Sequence, residues 1–326
     1  MGIRRRLFIR LRKMIVYVTV FDKDYLVRGI ALARSFARHC AGDLLFLGCI
    51  DSVSTEFLGK IELPGTRILD PETFIFGDLL ALKEKRSTAE FCWTTKPFLL
   101  AHALEVYPEA EWVVYLDADS LIFSSITRVL RKSGELTCVF TPHNFFREFK
   151  HYEANVGRYN AGFVAFRNSD SGRQALTSWR NLCVGSVSAN PSGNEYGDQK
   201  YLDELAERWR MEPDAVNKGL NVAPWNVGKY RFSVMDGQVF VDDDKLCFFH
   251  FQGFMHATRH MVLMYRGVYS LPGAVRRLVY RPYLAELRNA RRLVAECGGK
   301  KLLTVPGVLK SIRSLWAARK NIALTW

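Results

Sequence analysis

Asp117 and Asp119 stand at the end of an apolar run, "EWVVYLDADSLI" (residues 111–122), with a single alanine between them. Burying Val113, Val114 and Leu116 suits a central strand, whereas two acids at its end do nothing for folding. Side chains alternate across a strand, so a D-x-D pair puts both carboxylates on one side. Two like charges that close raise each other's pKa unless a cation neutralises them. Oxygen donors of this kind suit Mg²⁺ or Mn²⁺, ions that usually bridge to substrate phosphates. His250, in "CFFHFQGF" (247–254), also closes an apolar run. Neutral imidazole joins carboxylates around Mn²⁺, which makes it a third ligand candidate. The plain alternative is an acid pair that caps the next helix through "DSLIFSS", since Asp and Ser are ordinary turn and cap residues.

These groups need a frame to hold them. "MIVYVTV" (14–20) is a β-branched run of strand length, and "LVRGIALARSFARH" after it spaces Leu26, Ile30, Ala33 and Ala37 along one helical face. "DLLFLGCID" (43–51) and "TRILD" (66–70) read as further strands. "TTKPFLLAHALEVY" (94–107) reads as a helix, with Thr94 or Thr95 as N-cap and Pro97 in the first turn. Downstream, "ELTCVF" and "YNAGFVAFRN" are strands, while "SGRQALTSWRNLCV" and "GDQKYLDELAERW" are helices, the second opening with Asp198 near its N-cap. "GQVFVDDDKLCFFHFQGF" holds two strands around an acidic turn. Alternating strands and helices with continuous apolar strands imply a mostly parallel sheet covered by helices. In such sheets ligands sit beyond the carboxyl ends of the strands, where Asp117 and Asp119 fall.

Composition narrows the class. The 326 residues are 48% hydrophobic, with no long low-complexity segment, so the chain is globular. Seven cysteines (Cys40, Cys49, Cys92, Cys138, Cys183, Cys247, Cys297) are scattered and never spaced as CxxC, which suits a reducing cytoplasm rather than a disulfide framework. Residues 1–13 carry six Lys/Arg and no acid, and residues 259–326 carry fourteen Lys/Arg and two acids. The body, 14–258, keeps 26 of the 46 basic and 31 of the 33 acidic residues, so the net +13 belongs to the ends. This divides the chain into a basic extension (1–13), a body that holds nearly all the acids (14–258) and a basic helical tail (259–326). No run reaches the roughly 18 apolar residues of a bilayer span, and no signal peptide is read at the start.

At this point the motifs, in order, resemble the GT-A glycosyltransferases, nearest to family 8, the group of glycogenin and the lipopolysaccharide galactosyl- and glucosyltransferases. "IVYVTVFDKDYLVRGIALARSF" resembles the first nucleotide-binding strand and helix, "TTKPFLL" the segment with a basic residue before the metal motif, and "VVYLDADSLI" the metal-binding strand. "YNAGFVAFRN" resembles the strand that touches the donor sugar, "GDQKYLDEL" the Asp-Gln element beneath it, and "FHFQG" the C-terminal metal histidine with its glycine. The resemblance covers roughly residues 15–257. It implies a Rossmann-like, mixed and mostly parallel sheet. It further implies transfer of a sugar from a nucleotide-diphosphate donor, with UDP-sugar expected, to a saccharide acceptor with retention of anomeric configuration.

The same resemblance assigns roles. Asp117, Asp119 and His250 would hold Mn²⁺ or Mg²⁺, with Asp117 also facing the donor. Thr19, Asp22 and Tyr25 would line the nucleoside pocket, and Lys96 would reach the diphosphate or donor sugar. Asn160, Ala161 and Gly162 would place the sugar, with Asp198 and Gln199 at its reacting face. Where the family has a lysine three residues after the glycine of the histidine motif, this chain has His256, three after Gly253. A charged His256 or Arg259 is the expected substitute on the diphosphate.

Other stretches have simpler readings. "GLNVAPWNV" (219–227) is either an acceptor-side loop or a rigid turn over Trp225, and "HNFFREFKHYEANVGRYN" (143–160) has the make-up of a substrate-covering loop. Its His143 and His151 are expected at the surface, and "VDDD" (241–244) in a solvated hairpin turn. In "TVPGVLKSIRSLWAARK" (304–320) an apolar face with Lys and Arg mostly off it fits an interfacial membrane anchor or a helix packed on the body. With the basic start, it points to the anionic inner face of the cell membrane and a lipid-linked or lipopolysaccharide acceptor, and the acidic body argues against nucleic acid. Two rivals stand beside this reading. "VVYLDADSLI" also resembles the haloacid-dehalogenase phosphatases, with Asp117 as nucleophile and Asp119 as general acid, although that motif normally lies on the first strand. The other is an inactive transferase fold serving as a membrane scaffold.

Overall fold

Every residue of β1 (Ile15–Phe21) is buried, and its register explains why. It lies between β2 (Leu44–Cys49) and β4 (Trp112–Leu116), parallel to both, and β3 (Thr66–Leu69) extends the parallel set beyond β2. β7 (Tyr159–Arg167) joins β4 antiparallel, and β6 (Cys138–Pro142) closes the edge antiparallel to β7. The six-stranded order is therefore β3-β2-β1-β4-β7-β6, a mixed and mostly parallel sheet. The computed structural model describes residues 14–191, 196–211, 217–258, 261–303 and 322–324.

Alternation along β1 feeds two separate cores. Ile15, Tyr17 and Phe21 face the layer built on the Leu26–His39 helix, while Val16, Val18 and Val20 face the layer of the Thr88–Val106 and Asp170–Gly185 helices. Burial on both faces is what a continuous apolar strand requires.

The Thr88–Val106 helix begins six residues before the start expected at Thr94. Ser87 caps it: its hydroxyl accepts from the Glu90 amide, and the Glu90 carboxylate accepts from the Ser87 amide. That reciprocal capping box outweighs the local appeal of the Thr-Thr pair and leaves Pro97 inside the helix, not in its first turn. Ser87→Ala is expected to cost about 1 kcal/mol of stability, read as a shift in urea midpoint at unchanged slope. The helix after "GDQ" starts later than expected, at Tyr201, so Asp198 precedes it in a turn and does not cap it.

Beyond the sheet, β5 (Ser120–Ile122) follows Asp119, and a small sheet holds β8 (Phe232–Met235), β9 (Gln238–Val241) and β10 (Asp244–Lys245). β11 (Phe248–His250) pairs antiparallel with β5, while β12 (Met255–Thr258), β13 (Met261–Leu263) and β14 (Ile322–Leu324) form a third ladder. The basic C-terminal region divides in two. The Arg281–Glu296 helix packs on the Leu26–His39 helix, with Tyr283 stacked 3.6 Å from Phe251 and Glu286 paired to Arg34 and Arg38. The amphipathic segment 304–320 and the basic start, 1–13, lie outside the described residues. Among those described, no helix is long and apolar enough to cross a membrane.

Candidate metal centre and active site

The pairing of β11 with β5 sets His250 opposite Ser120, the residue after Asp119. The Phe251 amide donates to the Asp119 carbonyl at 2.8 Å, and the Asp117 amide to the Gly162 carbonyl at 2.9 Å. One turn of chain is thereby fixed against β7 on one side and β11 on the other. His250 Nε2 lies 3.3 Å from Asp119 Oδ1 and 3.6 Å from Asp117 Oδ2, so one imidazole nitrogen addresses both carboxylates. Ligand atoms of the three residues all lie within 4.8 Å of one another, the one such cluster among the described residues. Two carboxylates and an imidazole form a donor set suited to Mn²⁺ or Mg²⁺.

Electrostatics bind the three together even without an ion. Burial pushes Asp119 up, but His250 and then Arg28 outweigh it and hold the carboxyl below its ordinary value. Burial pulls His250 down, and Asp119 and Asp117 outweigh it in the other direction. Nδ1 of the ring has no hydrogen-bond partner among the described residues and lies against Gly162, where a Cβ would come within 2.5 Å of it.

Lys96, only 3% exposed, sits on the other flank of Asp117. Its Nζ lies 3.2 Å from Asp117 Oδ1, 3.1 Å from Asp198 Oδ2 and 3.2 Å from the Ala161 carbonyl. Burial disfavours the ammonium, yet Asp117 and Asp198 more than restore it. The Tyr115 hydroxyl donates to Asp117 Oδ1 at 2.9 Å, which the period-two spacing of residues 115 and 117 predicts. Burial, helped by Asp117, raises Asp198 to about 6 against the pull of Lys96. Asn160 donates to Gln199 Oε1 at 3.1 Å and accepts from the Gly162 amide at 2.9 Å and from Asn221 at 3.0 Å. Gln199 donates to the Val156 carbonyl at 2.8 Å.

Lys96, Tyr115, Asp117, Asn160, Asp198 and Gln199 line a cleft of about 730 Å³ that also receives Asp22, Tyr25, Gly253 and Arg28. Gly253 adopts φ +77°, and Tyr265 crowds the space of its missing side chain, so glycine is required at this turn. Of the expected site residues, Asp22, Tyr25, Lys96, Asp117, Asp119, Asn160, Ala161, Gly162, Asp198, Gln199, His250 and Gly253 meet in the cleft. Thr19 does not: it is fully enclosed in β1, between core layers. His256 does not either. It follows β11 into β12 and lines a separate cavity of about 320 Å³ with Arg291 and Leu287. Burial, then Arg291 and Arg28, lowers its pKa to about 4, so it is uncharged at neutral pH.

His143, expected at the surface, is buried. It stacks on Phe145 at 4.7 Å and meets the edge of Trp225 at 5.4 Å, and burial lowers it to about 4. Trp225 also packs edge-on against His250 at 5.5 Å, which gives the "APWN" turn a place beside the site. Asn221, held at φ +55° with its amide on Thr141 and Asn160, supports the site residue Asn160 and was read in the sequence only as part of the 219–227 segment. Arg28 is a cleft residue that the sequence analysis did not single out. Its signal was a lone cation inside the buried stretch "LVRGIALA".

No family model matches the chain. It is 26% identical over 275 residues to the uncharacterized protein YfnD of Bacillus subtilis, covering 84% of this chain and 88% of that one. The uncharacterized protein YfnF of the same organism is 29% identical over 245 residues, covering 73% and 81%. Among solved structures, the bifunctional glycosyltransferase WbbM aligns at TM-score 0.42 and 14% identity, covering 65% of this chain and 40% of that one. The galactosyltransferase LgtC, bound to donor and acceptor sugar analogs, aligns at TM-score 0.41 and 15% identity, covering 90% and 99%. Likeness at this level leaves the function to the residues themselves.

Proposed function

We propose that the chain is a GT-A glycosyltransferase that moves a sugar from a nucleoside-diphosphate donor, UDP-linked by expectation, to a saccharide acceptor. The observation that carries this is the convergence of Asp117, Asp119 and His250 on one point at the floor of the cleft. A bound Mn²⁺ or Mg²⁺ would neutralise the diphosphate and stabilise the charge that develops on it as it departs.

The chain's own residues do the rest. Asp22 and Tyr25 border the nucleoside end. Lys96, held charged by Asp117 and Asp198, is a fixed cation at the sugar end and needs no reorganisation when negative charge develops there. Asn160, Ala161 and Gly162 present backbone and amide to the donor sugar. Gln199, whose amide is committed to Asn160 and Val156, fixes that presentation, and Asp198 faces the reacting side. Transfer proceeds with retention, as in the family the sequence resembles. The acceptor is lipid-linked or a surface glycan, and the basic ends hold the enzyme on the inner face of the cell membrane. The phosphatase alternative has its motif on the first strand, whereas Asp117 follows β4, the fourth strand of the chain.

Calorimetric titration with UDP, GDP, CMP and dTDP, first with Mn²⁺ and then with EDTA, tests the reading. One nucleotide is expected to bind in Mn²⁺, with binding lost in EDTA and reduced at least about 100-fold in Asp119→Ala, since a metal ligand is removed. Absence of nucleotide binding under every condition overturns it.

A further inference from the structure

Among the described residues, three Lys and Arg side chains line the cleft: Arg28, Lys96 and Arg266. Lys96 is committed to Asp117, Asp198 and the Ala161 carbonyl. Arg266 is exposed. Arg28 is different from both. It rises from the first turn of the Leu26–His39 helix, its side chain 17% exposed, and its Nη1 stands 3.9 Å from Asp119 Oδ2. That distance conveys charge but is beyond a hydrogen bond, so Asp119 does not lock the guanidinium.

Other groups fix its plane. Nη2 donates to the Phe254 carbonyl at 2.9 Å, and the guanidinium carbon lies 4.3 Å from the Tyr25 ring centroid and 5.9 Å from that of Phe254. A planar cation fixed by a carbonyl and an aromatic face beside a metal ligand is preorganised to donate to an anion.

We infer that Arg28 grips the diphosphate of the donor on the Asp119 flank of the metal centre, opposite the Lys96 flank, an assignment that rests on the nucleotide-sugar reading. Asp117, Asp119 and His250 would hold the divalent ion, whose charge would offset that of the aspartates, and Arg28 Nη1, unbonded to Asp119 at 3.9 Å, would be left to donate to phosphate. His256 cannot fill this role, because it lies in the adjoining cavity and is uncharged at neutral pH. Tyr25, Arg28, Phe254 and Met255 border both that cavity and the cleft, and of these four Arg28 alone is basic.

The test titrates UDP, UMP and uridine in saturating Mn²⁺ into wild type, Arg28→Met, Arg28→Lys, Arg266→Ala and His256→Ala, and measures Mn²⁺ affinity without nucleotide by electron paramagnetic resonance. Arg28→Met is expected to bind UDP about 10- to 100-fold more weakly, the usual worth of a charge-assisted hydrogen bond to phosphate, with uridine unaffected. Its Mn²⁺ affinity is expected to hold or rise, because a competing cation beside Asp119 is gone. Arg28→Lys keeps the charge and the stem, so it guards against a folding defect. It is expected to recover part of the UDP affinity, as a point charge without the bidentate fork.

A fall in Mn²⁺ affinity together with UDP overturns the assignment, because Arg28 then only positions Asp119. So does a loss that appears in Arg266→Ala or His256→Ala and not in Arg28→Met. If wild type binds no nucleoside diphosphate in Mn²⁺, the nucleotide-sugar reading falls first, and the two failures are told apart.

Discussion

Lys96→Met lowers folding stability by about 3 kcal/mol at pH 8, and by clearly less at pH 5, with both unfolding curves measured in EDTA. Methionine keeps the volume of the stem but removes the one charge that Asp117 and Asp198 share at 3.2 and 3.1 Å. At pH 8 two carboxylates then face each other with Asp198 only 3% exposed, and an uncompensated buried charge is what makes broken buried pairs costly.

The pH dependence follows from the sign of the Asp198 shift. Its folded value, about 6, lies above the ordinary 3.8, so the folded state holds a proton that the unfolded chain has released between those limits. Stability therefore falls as pH rises through that window. Without Lys96 the folded value rises further, which widens the window above pH 6 and enlarges the deficit at pH 8. At pH 5 Asp198 is protonated in the variant and most of the cost disappears. Equal stability of variant and wild type at both pH values would show that Lys96 bears no compensating charge.

Gly162→Ala is expected to weaken Mn²⁺ binding by about 10- to 100-fold, the usual effect of disturbing the setting of a metal-bound histidine. A methyl group there would stand 2.5 Å from His250 Nδ1, 2.9 Å from Cε1 and 2.7 Å from Asn160 Oδ1. Neither neighbour has room to retreat. The ring is buried with Trp225 across its edge, and the His250 amide is fixed on the Val222 carbonyl at 2.8 Å. The variant folds at a cost of about 1–3 kcal/mol, the range for overpacking a tight interior. Titration of Mn²⁺ followed by paramagnetic resonance reads the metal directly, and a folded variant with unchanged affinity removes His250 from the ligand set.

Asp117 and Asp119 were legible because the argument needs only local facts: an apolar run, a strand's period of two, and acids at its end. The same local logic found β1 to β4, and it could have found Tyr115, which shares the face of Asp117. It failed at the Thr88–Val106 helix, where a capping box between Ser87 and Glu90 decided the start and Thr94 only looked the part. It failed again at His143, which the reading of a covering loop put at the surface and the packing of Phe145 and Trp225 made part of an interior.

What the sequence determined alone, then, is the alternation of buried strands and helices and the acid pair at the end of β4, since these are written in neighbouring residues. Tertiary structure alone decided that β11 pairs with β5 and so delivers His250 to the two aspartates. It also decided that Lys96 is shared by Asp117 and Asp198, that Arg28 faces the cleft, and that Thr19 and His256 do not. The reason is physical: which strands pair, and in what register, depends on the summed burial of segments far apart in the chain, and no local pattern carries that sum.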